Sequence, residues 1–151
     1  EPVERDIMER RPKPKAEGIF AGGLLYRIVL QGLMFAILSL IGFYIVGENL
    51  DSLGAAQTMA FLVLSLSQLF HVLNVRTSES ILKSNLRENK YMILALLASF
   101  LLIVVIVIIP PLAYIFEITA LPPVYYRIAL GLGIVPLIVI EIEKRIRKTR
   151  T

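Results

Sequence analysis

Four long apolar stretches occupy most of the chain and limit what it can fold into. They cover residues 22–46, 55–73, 91–116 and 125–142, each near or above the about 20 residues that a helix needs to cross a bilayer. None shows the period-two alternation of a barrel strand. Because only helices and closed barrels satisfy their own backbone in lipid, the sequence predicts an all-α membrane protein with four transmembrane helices.

The distribution of charge predicts how these helices are oriented. Of the 16 Lys and Arg residues, all except Arg127 lie near the first stretch's start, between the second and third stretches, or after the fourth. Glu48, Asp51 and Glu117 lie on the other side. By the positive-inside rule, both termini and the 75–90 connection are predicted to be cytoplasmic. The net charge of +4 then reflects orientation and lipid headgroup contact, not nucleic-acid binding.

The polar ends of the chain set its predicted organisation. Residues 1–21 contain three prolines and are expected to form an extended cytoplasmic connector. Residues 22–143 form the four-helix transmembrane domain, and 144–151 a basic cytoplasmic tail. The chain opens Glu1-Pro2 without an initiator methionine or signal peptide, so we expect it to be part of a longer polypeptide. The sequence has no cysteine, which excludes disulfides and thiolate metal sites.

Four segments, at residues 6–13, 58–74, 89–91 and 136–144, carry a resemblance to a known family. In order and spacing they resemble the P-type cation-transporting ATPases, most closely the calcium-pump branch. Residues 6–13, D-I-M-E-R-R-P-K, are similar to the segment that follows the sixth membrane helix of these pumps. Residues 58–74 resemble the eighth helix, 89–91 the entry to the ninth, and 136–144 the end of the tenth. The resemblance implies that this chain corresponds to the seventh to tenth transmembrane helices of such a pump.

The same resemblance implies a parent protein that uses Mg-ATP to move cations, with calcium as the expected ion. The family's D-K-T-G-T phosphorylation motif does not occur in this sequence. The fourth to sixth helices, which supply most cation ligands in the family, are not matched either. We therefore expect no catalytic residue and no cofactor in this segment. The expected partners are the remaining helices and cytoplasmic domains of the pump and the lipid bilayer, with no nucleic acid.

The second apolar stretch contains the candidate cation-pathway residues. At about 100° per residue, Gln57, Thr58, Ser65 and His71 all fall within about 80° of Gln68. Polar side chains within a span usually face the bundle interior or a water-filled path. Hydrogen bonding between helices and an ion pathway both remain open for Gln57, Thr58, Ser65 and, further along, Asn74.

Gln68 and His71 are the two residues that the resemblance places in the cation pathway. Gln68 matches the position at which sarcoplasmic-reticulum-type calcium pumps have a glutamate ligand. An amide oxygen can still bind a metal cation, although it contributes no charge. His71 matches a position at which sodium/potassium pumps have an acid. A neutral, hydrogen-bonded histidine is the alternative interpretation of His71.

Several residues have expected structural roles. Pro110 and Pro111 are predicted to end or kink the third helix. Small residues suited to close helix packing are predicted at two places, Ala95 with Ser99, and Ala129 with Gly131 and Gly133. Ser39 is expected to hydrogen-bond to a neighbouring helix.

A self-standing four-helix membrane protein, either a structural partner or a small channel, is the alternative to a pump segment. The four apolar stretches fit both interpretations, and the alternative would need no upstream phosphorylation motif.

The charge asymmetry predicts the accessibility of two introduced cysteines. In the Ser84→Cys variant, membrane-impermeant thiol reagents should react only after the inner face has been opened. In the Ser52→Cys variant, they should react in intact cells. The reverse pattern, measured by labelling before and after permeabilisation, would overturn the predicted orientation.

Overall fold

The computed structural model describes residues 24–75 and 90–149, and within these ranges the protein is helical with no strand. The helices are α1 (Leu24–Leu50), α2 (Leu53–Val75), α3 (Lys90–Ile108), α4 (Pro110–Ile115) and α5 (Pro123–Thr149). All except α4 are long and apolar enough to cross a membrane. The predicted all-α, four-span fold class is confirmed. The connector 1–21 and Ser84 lie outside the described residues.

Helices α1 and α2 form an antiparallel hairpin with a two-residue link. Asp51 in this link has a φ of 47°, in the left-handed region that helix ends often use. The Ser52 hydroxyl accepts a hydrogen bond of 3.3 Å from the backbone N–H of Ala55 and so caps the start of α2. Further along the hairpin, the Ser39 hydroxyl donates to the carbonyl of Ala60 at 3.1 Å, which confirms its predicted role.

Helix α2 is the centre of the bundle, because it contacts α1, α3 and α5. The core includes Met59, Leu62, Val63 and Leu66 of α2 together with Leu38 and Val46 of α1 and Ala129 of α5. Contacts between α2 and α5 advance along both helices in the same direction, so these two helices run parallel.

The third predicted span is interrupted at its two prolines. Helix α3 ends at Ile108, and Ile109 has an extended backbone with φ −86° and ψ 112°, as expected for a residue that precedes proline. Pro110 then begins the short helix α4. The predicted kink or end is confirmed, and residues 91–116 are two helices instead of one. Only the second half of α3, at Ile103, Ile106 and Val107, packs on the core.

Two of the five predicted small packing residues lie in the α2–α5 interface, whereas Ala95 and Ser99 of α3 are exposed. Ala129 is buried, and a Cβ atom at Gly133 would lie 2.7 Å from the Cβ of Leu66. The prediction for Gly131 was wrong, since Gly131 is exposed and a Cβ there would meet nothing within 4 Å. Two residues along a helix correspond to about 200°, which turns Gly131 away from the face shared by Ala129 and Gly133.

Helix α5 extends beyond its predicted apolar span at both ends. It begins at Pro123 and continues to Thr149, whereas the apolar stretch covers 125–142. Much of the segment predicted as a basic tail is therefore a continuation of α5. Hydrophobicity marks the part of a helix that lies in the hydrocarbon, not the point at which its backbone hydrogen bonding stops.

The close approach at Gly133 predicts a large difference between two glycine substitutions. Gly133→Ala should lower the free energy of unfolding of the chain in detergent by about 1–3 kcal/mol, because the added methyl group forces α2 and α5 apart. Gly131→Ala, the matched control, should leave stability unchanged or raise it. Equal thermal unfolding profiles for both variants, followed by circular dichroism, would contradict this packing.

Candidate functional site

The polar residues of α2 point in several directions instead of forming one face. Gln57 and Gln68 are exposed and lie at helical spacing with Leu64 and Val72, which are 39% and 47% exposed. We call Gln57, Leu64, Gln68 and Val72 the open stripe. The described parts of α1, α3, α4 and α5 leave this stripe uncovered, although α2 is otherwise the central helix of the bundle.

Thr58 lies on the buried side of α2 and links it to the segment before α5. It is 2% exposed, and its hydroxyl donates to the carbonyl of Gly54 at 2.9 Å. The same oxygen accepts a hydrogen bond of 2.9 Å from the backbone N–H of Thr119. Both hydrogen-bonding capacities of the hydroxyl are thus used within the bundle.

Asn74 forms the corresponding link at the other end of α2. It is 2% exposed, and its side-chain amide donates to the carbonyl of Leu137 in α5 at 3.2 Å. The Lys144 ammonium, also from α5, donates to the backbone carbonyl of Asn74 at 2.8 Å. Thr58 and Asn74 therefore fasten α2 to the α5 side at two points, about 24 Å apart along the helix.

Ser65 and His71 are half-buried, between the covered side of α2 and the open stripe. The His71 ring meets the ring of Phe35 from α1 edge to face, with centroids 5.1 Å apart and an interplanar angle of 73°. This contact orients the imidazole against α1. Among the predicted residues, Gln68 and His71 lie one turn apart, whereas Thr58 and Asn74 lie at opposite ends of α2.

Sequence reasoning missed three features that position this helix. Ser67, which is fully buried, was not singled out, although its spacing to His71 and Asn74 is i, i+4, i+7. The contact of Thr58 with Thr119 has no sequence signal, because it joins residues 61 positions apart. The ion pair between Arg27 of α1 and Glu143 of α5, at 3.9 Å, could have been sought from their opposite charges at the same predicted membrane surface.

The described residues contain no group of three or more His, Cys, Asp and Glu side chains that could hold a metal ion. Gln68 can contribute one neutral amide oxygen to a cation on the open stripe. A calcium ion takes six to eight oxygen ligands, several of them usually charged. A calcium site at Gln68 therefore needs further oxygen ligands, and the described residues provide no cluster of charged groups for it.

Comparison with known families places the chain among membrane transport proteins. The family model described as "Cation transporting ATPase, C-terminus" matches residues 1–146. The chain therefore belongs to this family, the C-terminal membrane region of P-type cation pumps, and is an integral, multi-pass membrane segment. The resemblance found in the sequence is confirmed.

Several similar proteins are named as calcium-transporting ATPases. A "Calcium-transporting ATPase" of Bacillus subtilis (strain 168) is 37% identical over 134 residues, which cover 88% of this chain and 15% of that protein. "Calcium-transporting ATPase 1" of Bacillus cereus (strain ATCC 10987 / NRS 248) is also 37% identical, over 98% of this chain and 18% of that protein. "Calcium-transporting ATPase 1" of Lactococcus lactis is 32% identical over 97% of this chain and 17% of that protein. The chain thus spans less than a fifth of these relatives.

The two hydrogen bonds of Thr58 predict a specific loss of stability. Thr58→Val keeps the shape of the side chain but leaves the N–H of Thr119 without its acceptor, and should lower the free energy of unfolding by about 1–3 kcal/mol. Thr58→Ser retains the hydroxyl and should retain most of the stability. Denaturant titration of the chain in detergent measures both, and a loss in Thr58→Ser with none in Thr58→Val would assign the role of Thr58 to its methyl group.

Proposed function

We propose that this chain is the C-terminal membrane part of an ATP-driven calcium pump, in which α2 presents Gln68 to the cation pathway. Calcium is the ion for which the relatives are named. The chain itself scaffolds the pathway, while ATP hydrolysis and most cation ligands belong to other parts of the pump.

The exposure of Gln68 on an otherwise central helix is the observation that carries this proposal. Gln68 lies about 6 Å from the midpoint of α2, within the hydrocarbon-spanning length of the helix. A polar side chain at this depth is unfavourable against lipid and usually faces protein or a hydrated cavity. Since the relatives are five to seven times longer than the matched region, their other segments can supply that cover.

The chemistry of the amide fits a supporting role at a cation site. Its carbonyl oxygen is a hard ligand of the type that calcium accepts, and its NH2 group can donate to a neighbouring carboxylate. His71, one turn further, borders the same pathway in this proposal. Gln57 and Ser65 line or pack the approach without binding the cation, whereas Thr58 and Asn74 act through packing, since their hydrogen bonds lie within the bundle.

The scaffold function follows from the way in which α2 is held. Helices α1 and α5 cover one side of α2, and the hydrogen bonds of Thr58 and Asn74 fix it near both ends. A helix fixed in this way cannot rotate about its axis without breaking these contacts. Gln68 therefore keeps a constant direction while other helices move against the open stripe.

The proposed orientation places both termini in the cytoplasm. Arg27, Glu143 and Lys144 meet at one end of the bundle, together with the end of α2. Asp51 and Thr119 lie at the opposite end. Cationic side chains concentrated at the first end support a cytoplasmic location for that end. The family match over residues 1–146 argues against the alternative of a self-standing structural protein or channel.

Substitution of Gln68 in the complete pump tests the assignment. Gln68→Leu should weaken the calcium dependence of phosphorylation by about tenfold or more, because removing a ligand oxygen costs about 1–3 kcal/mol of cation binding. Expression and membrane insertion should be nearly normal, since leucine suits the bilayer better than an amide does. Gln68→Glu should be tolerated, because it supplies an oxygen in the same place.

Gln57→Leu is the matched control for this experiment. Gln57 belongs to the same open stripe but lies about 16 Å nearer the other end of α2, and its loss should leave the calcium dependence unchanged. If Gln68→Leu and Gln57→Leu both leave calcium-dependent phosphorylation at the wild-type level, Gln68 serves packing alone and the proposed pathway role is incorrect.

A further inference from the structure

Three buried polar atoms lie in a row along α2, from its covered side to the edge of that side at His71. They are the Ser67 hydroxyl oxygen, the His71 Nδ1 atom and the Asn74 Oδ1 atom, and none has a hydrogen-bond partner within the described residues. Ser67 is 0% and Asn74 2% exposed. The spacing i, i+4, i+7 places the three side chains within about 60° of one another. We call Ser67, His71 and Asn74 the polar seam.

The polar seam lies between α1 and α5, and His71 is its member nearest to the open stripe. Phe35 of α1 contacts His71, and Leu137 of α5 accepts a hydrogen bond from Asn74. Gly133 of α5 lies against Ser67, since a Cβ atom there would be 3.5 Å from the Ser67 backbone nitrogen. The backbone of Ser67 therefore lies close to α5 at a residue without a side chain. About 100° separates Ser67 from Gln68 around the helix.

A further acceptor is present on α5, at the residue that precedes Gly133. Pro136 lies inside α5 and is almost fully buried. Because proline has no N–H, the carbonyl of Leu132 loses its helical donor. Ser67 has an unused hydroxyl proton, and Leu132, next to Gly133 in the chain, has an unused lone pair. These groups on the two helices are complementary, and a molecule that both donates and accepts hydrogen bonds can join them.

We propose that the polar seam binds a short row of water molecules inside the α1–α2–α5 bundle. The seam is about 10 Å long, which corresponds to about three waters in hydrogen-bond contact. Each water accepts from or donates to Ser67, His71 or Asn74, and Leu132 provides a further carbonyl. Buried waters typically make about three such bonds to polar groups that otherwise lack partners. One end of the row lies beside Lys144, at the end of α2.

Water fits the seam better than a metal cation does. The seam offers a hydroxyl, an imidazole and an amide oxygen, spread over two helical turns instead of converging on one point. None of the three carries a formal negative charge that would offset the cost of desolvating a cation. A row of neutral molecules that both donate and accept satisfies all three groups at their actual spacing.

Radical footprinting of the complete pump in detergent tests the seam, because X-ray-generated hydroxyl radicals modify side chains beside bound water. Phe35, which borders the seam, should be modified several-fold faster than Met59, after correction for intrinsic reactivity. Met59 is the dry reference, since it is 0% exposed and packed in the apolar core of the same bundle. Modification rates read by mass spectrometry give the result without any substitution.

Three variants identify the source of the signal. Ser67→Ala should lower the modification of Phe35 several-fold, whereas Ser65→Ala, about 200° away around α2, should not. Gln68→Leu should also leave it unchanged, so that failure of the seam and failure of the cation pathway are distinguishable. Modification of Phe35 as slow as that of Met59 would overturn the proposal, with Ser67 then bonded to the carbonyl of Val63 one turn earlier. An equal decrease in both serine variants, or no decrease in Ser67→Ala, would overturn it as well.

Discussion

A polar group without a partner inside hydrocarbon costs several kcal/mol, and this cost decides how α2 sits among its neighbours. Thr58 and Asn74 avoid this cost by forming hydrogen bonds with the backbone on the α5 side of the bundle. Ser39 of α1 avoids it through a hydrogen bond to the backbone of α2. Backbone partners are available along every helix, so these bonds align neighbouring helices without requiring matched polar side chains. The apolar core then fills the space between these polar points.

The pairing of polar groups divides α2 into two sides with different surroundings. The covered side holds the core, the two end contacts and, at its edge, the polar seam, and it establishes the position of the helix. The open stripe holds Gln68 and has no cover within the described residues. A transport protein needs both sides, because a residue that binds the transported ion must lie on a helix whose own position is fixed. The most covered helix of this segment is thus the one proposed to carry a pathway residue.

The sequence alone predicted the fold class and the break between α3 and α4. Long apolar runs define membrane helices regardless of tertiary detail, and Pro110-Pro111 stops α3 for purely local reasons. The side of the helix on which a given residue lies was harder to predict. The helical wheel placed Thr58 on the same side as Gln68, but the contact with Thr119, 61 residues away, turns Thr58 inward. Gly131 was misplaced because small size was considered without helical phase. The pathway role of Gln68 and His71 stays a prediction.

The contact of Lys144 with the Asn74 carbonyl bears on the fraying of α2. The last four carbonyls of a helix lack donors of their own, so unwinding usually starts there. Here a lysine ammonium from α5 occupies one of those carbonyls and also complements the negative end of the helix dipole. Gln68 is only six residues from Asn74, and unwinding of two turns would swing its amide out of register. Unwinding that starts at the end of α2 is therefore opposed at Asn74, before it reaches Gln68.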